Sequence, residues 1–469
     1  MNNRVELAAE DIVVQAIENF DLRTAPLVPM NPLPYWQQMK AIRAYHSGPE
    51  TLRDAGGAVT RLKLAPKWLM PPVVVTASPQ GARDVLGRTG GHIDKTSLHD
   101  EVRRVIGPNL FDLTYEPWLP RRRALQPIFT KKHVHAFAGH IAQAAELVAD
   151  SWQDRTEIDL DADCRRLTLR ALGRSVLGLD LDEHSEALAE PLLTTTKYAM
   201  DRALRPIRAP RWLPTPARRR ARAASATLHR LADDILQACR TDPSRDAPLV
   251  HALIAATDPA NDSPLSDDDI RDELIIFLLA GHDTTATTLT YALWALGRHP
   301  DIQEKVRAEV AEIGDRSLTP EDVPRLGYTV QVLHEALRLC PPGAAVGRMA
   351  MEDVEVDGYR VEAGTMLIVG IYAIHRDPAL WDHALVFDPD RFSPDGSRGR
   401  DRWQYLPFGA GPRSCIGDHF AMLEATLALA TLVRHTEIHS IDEDFPLIVP
   451  FTTVAAAPIP ARVERRGTA

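Results

Sequence analysis

Cysteine is scarce in this chain. The four residues among 469, Cys164, Cys239, Cys340 and Cys415, lie far apart with no CxxC or other metal-ligand spacing. That excludes a disulfide framework and fits a reducing compartment. Positive charge is in deficit too, with 54 Lys and Arg against 64 Asp and Glu and a net charge of −10. Phosphate binding needs a positive surface, so the balance argues against nucleic acid as the main partner. Long hydrophobic runs are missing: the longest helical apolar stretch, Leu274 to Ala280, falls far short of the roughly 20 residues of a bilayer span. The N-terminal MNNRVELAAEDIVVQAIENF mixes acids into its apolar residues and lacks both a basic flank and a sustained apolar core. It reads as neither signal peptide nor anchor, and the expected location is the cytoplasm.

What is present, 45% hydrophobic and 25% charged residues, is the composition of a folded globular chain. Length alone gives a soft upper bound of about three domains. With no repeat, low-complexity tract or linker, the expectation is one domain over residues 1–469. Two helical patterns in the first fifty residues flank a Pro-rich stretch, Pro26 to Pro34, and β-rich runs follow at Val59–Leu64 and Val73–Thr76. Ser78-Pro79 is a helix start, and helical periodicity then dominates to about residue 340, where Pro341-Pro342 stops it. VEVDGYRV turns at Asp357-Gly358 as a hairpin, and GTMLIVGIYAI reads as a further strand. A last helix is expected from about Asp418 to Arg434. The fold class is therefore mainly α with a minor β-rich lobe: β-rich over about 35–80 and 345–400, α-rich over about 80–340 and 400–435.

The richest signal is Phe408-Gly-Ala-Gly411-Pro-Arg413-Ser-Cys415-Ile-Gly417, a glycine-punctuated loop that delivers one cysteine to a helix start. The helix N-terminus is expected to lower the thiol pKa and to aim backbone N–H groups at the sulfur. Gly411 and Gly417 permit unusual dihedrals and close approach of a flat ligand. Such a setting suits a metal-bound sulfur, whereas a lone cysteine without it is a small buried hydrophobe. At every fixed position the loop resembles the Phe-x-x-Gly-x-Arg-x-Cys-x-Gly pattern of the cytochrome P450 family of haem-thiolate monooxygenases, in its soluble, bacterial type. The resemblance covers roughly residues 55–455. It implies a cytochrome P450 fold with haem b between a long oxygen-binding helix and the cysteine-loop helix. Cys415 would be the axial iron ligand, Phe408 would pack beside the sulfur, and Arg413 would pair with a haem propionate.

Ala280-Gly281-His282-Asp283-Thr284-Thr285 lies inside an apolar helix of roughly thirty residues starting near Ser266. Glycine is costly there, and a Thr284 hydroxyl that takes the Ala280 carbonyl is expected to bend the hydrogen-bond ladder into a local gap. By the resemblance that gap would lie over the iron, Thr284 would hydrogen-bond the oxygen being reduced, and Asp283 would feed the proton relay. Glu335 and Arg338 are three apart on a helix, and the resemblance adds Arg391, from Phe387-Asp-Pro-Asp-Arg391-Phe392, to the same carboxylate. Asp390 stands where the family often has Glu. The E-x-x-R copies at Glu304/Arg307 and Glu101/Arg104 read as solvated pairs. Trp118 and Arg122, one turn apart, suit a propionate, and Arg348 matches a further propionate partner.

Arg121, Arg123, Lys131 and Lys132 are candidates for a positive docking patch, and Arg218 to Arg222 for an exposed helix start. The resemblance implies electrons from NAD(P)H through a ferredoxin or flavodoxin plus reductase, with no fused reductase, an apolar small-molecule substrate (a lipid, terpenoid or other natural product), and a monomer. Residues 88–110 and 193–222 would shape the pocket. A haem-thiolate isomerase or peroxygenase and a non-catalytic haem sensor are the alternatives. Asp268-Asp269-Ile270-Arg271-Asp272 spells DDxxD, a magnesium-diphosphate signature, but an N-cap at Ser266 with acids in the first turn accounts for it without metal.

Overall fold

The computed structural model describes residue 22 and residues 24–465, apart from 179–184, 206–208, 211, 259 and 261. The first expected helical stretch lies outside the described residues. Local chemistry sets the helix starts. Ser78 Oγ accepts the Gly81 N–H at 2.9 Å and opens helix Pro79–Leu86. Ser266 and Asp269 cap each other's backbone at 3.1 Å and open the long helix, Asp267–Arg298. The DDxxD acids serve protein cations: Asp268 and Asp272 pair with Arg271, and Asp269 with Arg121.

The main sheet runs in the order Val59–Leu62, Val73–Thr76, Met366–Val369, Val346–Ala350, Ile93–Asp94. Its centre is parallel, with Val73 opposite Met366; the other pairings are antiparallel. Alternation splits its side chains cleanly. Val74 and Leu367 face one apolar core, while Val73, Val75 and Ile368 face another. The hairpin turn has Asp357 and Gly358 at φ 53° and 80°. GTMLIVGIYAI divides: the strand ends at Val369, and Ile371–His375 is a short helix. A short apolar run does not distinguish strand from buried helix by periodicity alone. A second sheet joins Thr436–Ser440, Pro460–Arg465 and Thr156–Asp159.

The largest core surrounds the long helix, which buries Leu274, Leu278, Leu289 and Leu293 along its length. The cysteine-loop helix, Asp418–His435, packs against it. A chamber is left between these two helices and the sheet.

Candidate active site

The cysteine loop is pinned from both ends. The Cys415 N–H donates to the Phe408 carbonyl at 2.9 Å. Gly411 takes φ 72°, and a Cβ there would sit 2.0 Å from the Leu86 carbonyl oxygen, so only glycine lets the loop lie on helix Pro79–Leu86. Gly417, by contrast, has an ordinary φ of −99°, and a Cβ there would meet no protein atom within 4 Å. Its value is the space it leaves.

Cys415 opens onto a cavity of about 400 Å³ whose lining also includes Trp118, Arg122, Thr284, Arg348, Phe408 and Arg413. It is the exposed member of the four cysteines, and its exposure is to this chamber. The expected low thiol pKa is not what the site produces. Burial pushes the Cys415 thiol up, and the Gly417 N–H and Arg122 charge offset that only in part. A bound cation is what would hold the sulfur as thiolate.

Cations crowd one wall. Arg413 donates to the Leu113 carbonyl at 2.8 Å and to Asp94 at 2.9 Å, and its guanidinium lies 4.5 Å from the Trp118 ring centroid. Arg122 reaches the Ser414 carbonyl at 3.2 Å. Arg348 is 7% exposed and its pKa is lowered to about 10, by burial first and then by Arg413. Sequence reasoning missed two neighbours, Lys95 and His99. Burial, then Arg348 and Arg413, hold the Lys95 ammonium well below its usual pKa, and burial, then Lys95, Arg348 and Arg413, hold the His99 imidazole well below its own. Both follow the two-residue strand Ile93–Asp94, so only the folded sheet brings them to the chamber. Of the nearby carboxylates, Asp94 pairs with Arg413 and Asp112 with Arg103, which leaves Lys95, Arg122 and Arg348 with no ion pair among the described residues. Such a wall calls for an anionic guest, and a flat group with two carboxylates fits it.

On the opposite wall the Thr284 hydroxyl donates to the Ala280 carbonyl at 2.6 Å, as its spacing predicts. The helix itself runs unbroken from Asp267 to Arg298, through Ala280–Thr285. Room comes instead from the small side chains of Ala280 and Gly281. Asp283 points the other way, into an ion pair with Arg165. Glu424, another residue the sequence did not flag, is buried beside Thr285, and burial raises its carboxyl to about 8. The folded chain therefore holds a proton that the unfolded chain, at 4.5, releases, and this stability is full below pH 4.5 and lost as pH rises towards 8. Glu424→Gln is expected to flatten that slope and raise the melting temperature at pH 8 by a few degrees; an unchanged pH profile would contradict it.

Beneath the loop, Arg338 binds both oxygens of Glu335 at 2.7 Å, and both residues are fully buried. Arg391 approaches the same carboxylate at 3.4 Å, and the Asp388 N–H donates to it at 2.9 Å. Arg338 also donates to the His375 carbonyl at 2.8 Å, and the Leu406 N–H donates to His375 Nε2 at 2.8 Å, which ties the network to the cysteine loop. The other E-x-x-R copies differ from each other. Glu304 and Arg307 form a surface pair, but the Glu101 side chain is 4% exposed and bridges to Arg202 at 3.0 Å. The positive patch shrinks as well. Arg121 is engaged by Asp269 and Glu273, and Arg123 by Asp258, because the acidic start of the long helix and the Thr257–Asp258 strand pack against them. Arg218 is buried against the Pro210 and Leu213 carbonyls, so only its neighbours make the exposed helix start expected of them.

The description "Cytochrome P450" matches residues 26–464. Cyclooctatin synthase of Streptomyces melanosporofaciens is 34% identical over 81% of this chain and 82% of its own length. Cyclooctat-9-en-7-ol 5-monooxygenase of the same organism is 32% identical over 74% of this chain and 76% of its own. Pentalenene oxygenase of Streptomyces avermitilis is 29% identical over 86% and 88%. The heme domain of cytochrome P450DA shares the fold, with a TM-score of 0.83 at 24% identity over 94% of this chain and 98% of that one. The cysteine loop, the cationic wall and the threonine-bearing long helix thus sit in a chain that belongs to the cytochrome P450 family and is a monooxygenase of it.

Proposed function

We propose that the chain inserts one atom of O2 into a C–H or C=C bond of an apolar terpenoid, with haem b in the chamber and electrons from NAD(P)H through a separate ferredoxin or flavodoxin and its reductase. The observation that carries this reading is the chamber itself: Cys415 on one wall, Thr284 on the other, four basic side chains at one edge and apolar side chains over the rest. The haem supplies the cleavage of the O–O bond, favoured by electron donation from a thiolate ligand. Cys415 would donate that sulfur, Phe408 would pack beside it, and Arg122, Arg348, Arg413, Lys95 and Trp118, which line the chamber, would hold the two propionates. Leu98, Leu110, Phe277 and Phe451, which line the chamber, exclude water and seat the substrate.

Thr284 offers its hydroxyl to the oxygen site once it leaves the Ala280 carbonyl, and Asp283 supplies protons from behind the helix when Arg165 swings away. Lys131 and Lys132 lie exposed on a short helix packed against the cysteine-loop helix, and an acidic partner docks there. A terpenoid substrate is supported by the relatives, whose names specify pentalenene and cyclooctat-9-en-7-ol. Incubation with ferredoxin, reductase, NADPH and labelled dioxygen against a terpene library is expected to give products carrying one labelled oxygen. Thr284→Ala should keep the haem but release most electrons as hydrogen peroxide. Products unlabelled from dioxygen, or full coupling in the variant, would defeat the reading.

A further inference from the structure

Behind the long helix lies a second cavity, of about 1020 Å³, that the monooxygenation reading does not use as a binding site. Helices Leu160–Leu172 and Ser185–Leu204 wall it, together with the hairpin of strands Leu447–Ile448 and Val454–Ala455. The long helix separates it from the first chamber: Ala280, Gly281 and Thr284 face the first, while Leu279, His282 and Asp283 face the second. Elsewhere the partition is thinner, because Met200 and Val449 line both.

The floor of the cavity is apolar, with Leu169, Leu192, Leu279 and Val454 joining Met200 and Val449. Its charged lining is mostly cationic: Arg43, Arg165, Arg166, Lys197 and Arg205 against Asp161, Asp201 and Asp283. Arg165 is engaged by Asp161 and Asp283, and Arg166 by Asp163. Arg43 and Lys197 come from different helices, are exposed, and form no ion pair with the described residues. Inorganic phosphate would leave the apolar floor wet, and a neutral hydrocarbon would gain nothing from these two cations. Asp201, the lining carboxylate outside those pairs, disfavours guests of higher negative charge.

We infer that this cavity is a second ligand site for a small amphiphile with one carboxylate, its tail on the apolar floor and its head between Lys197 and Arg43. The test uses the haem-loaded enzyme with the first chamber blocked by phenylimidazole, titrated calorimetrically with decanoate and with decanol. One equivalent of decanoate is expected to bind, about ten-fold more tightly than decanol. In the Arg43→Glu/Lys197→Glu variant, decanoate affinity should fall about ten-fold while decanol affinity stays the same. No decanoate binding to the blocked enzyme, equal affinity for acid and alcohol, or an unchanged affinity in the variant would each overturn the site. Should phenylimidazole fail to perturb the haem spectrum, the haem-thiolate reading is what fails, and the charge-reversal comparison still decides the cavity.

Discussion

Cys415→Ser or Cys415→His is expected to abolish monooxygenation and to erase the thiolate band of the reduced carbon-monoxide complex, while leaving the fold intact. The fold should survive because the loop is held by backbone groups: the Cys415 N–H on the Phe408 carbonyl and the seat of Gly411 on Leu86. The side chain itself contributes to the chamber wall. Serine and histidine change the donor atom without adding a charge that the surrounding cations would reject. Circular dichroism of the variant should match the parent, so loss of the band would report the ligand alone. Retention of the thiolate band in a folded variant would remove Cys415 from the iron.

Glu335→Gln is expected to cost about 3–5 kcal/mol of stability, because the fully buried Arg338 would lose its charge partner while keeping its own desolvation penalty. Arg391 would lose the same negative charge, while the amide oxygen could still accept from the Asp388 N–H. Since His375 links this network to Leu406 at the head of the cysteine loop, haem retention should fall together with the urea midpoint. Replacing both members, Glu335→Leu with Arg338→Met, should recover part of the stability, since no charge is then left buried. A loss below about 1 kcal/mol for the single variant would show that the pair is not what holds the loop from beneath.

Features written in contiguous residues were legible in the sequence. The Phe408–Gly417 pattern, the Ser78 and Ser266 caps, the Asp357-Gly358 turn and the Thr284–Ala280 hydrogen bond all depend on neighbours within a few positions. What failed depends on who packs where. Arg121 and Glu101 look like surface charges until helices from distant parts of the chain cover them. Lys95 and His99 enter the chamber only because Ile93–Asp94 pairs with Met349 and Ala350, some 250 residues on. The thiol pKa followed the same rule: burial, a property of the whole fold, outweighs the local helix start.

The parallel pairing of Val73–Thr76 with Met366–Val369 also sets a schedule for biosynthesis. At a translation rate of roughly 5–20 residues per second, the first of these strands waits about 15–60 s before its central neighbour has been made. Through that interval its unbroken run of valines is paired along one edge, by Val59–Leu62, and open along the edge that Met366–Val369 will fill. The nascent chain is therefore most prone to aggregate before the C-terminal third emerges, and a ribosome pause upstream of residue 366 should lower the soluble yield without any change in the amino-acid sequence.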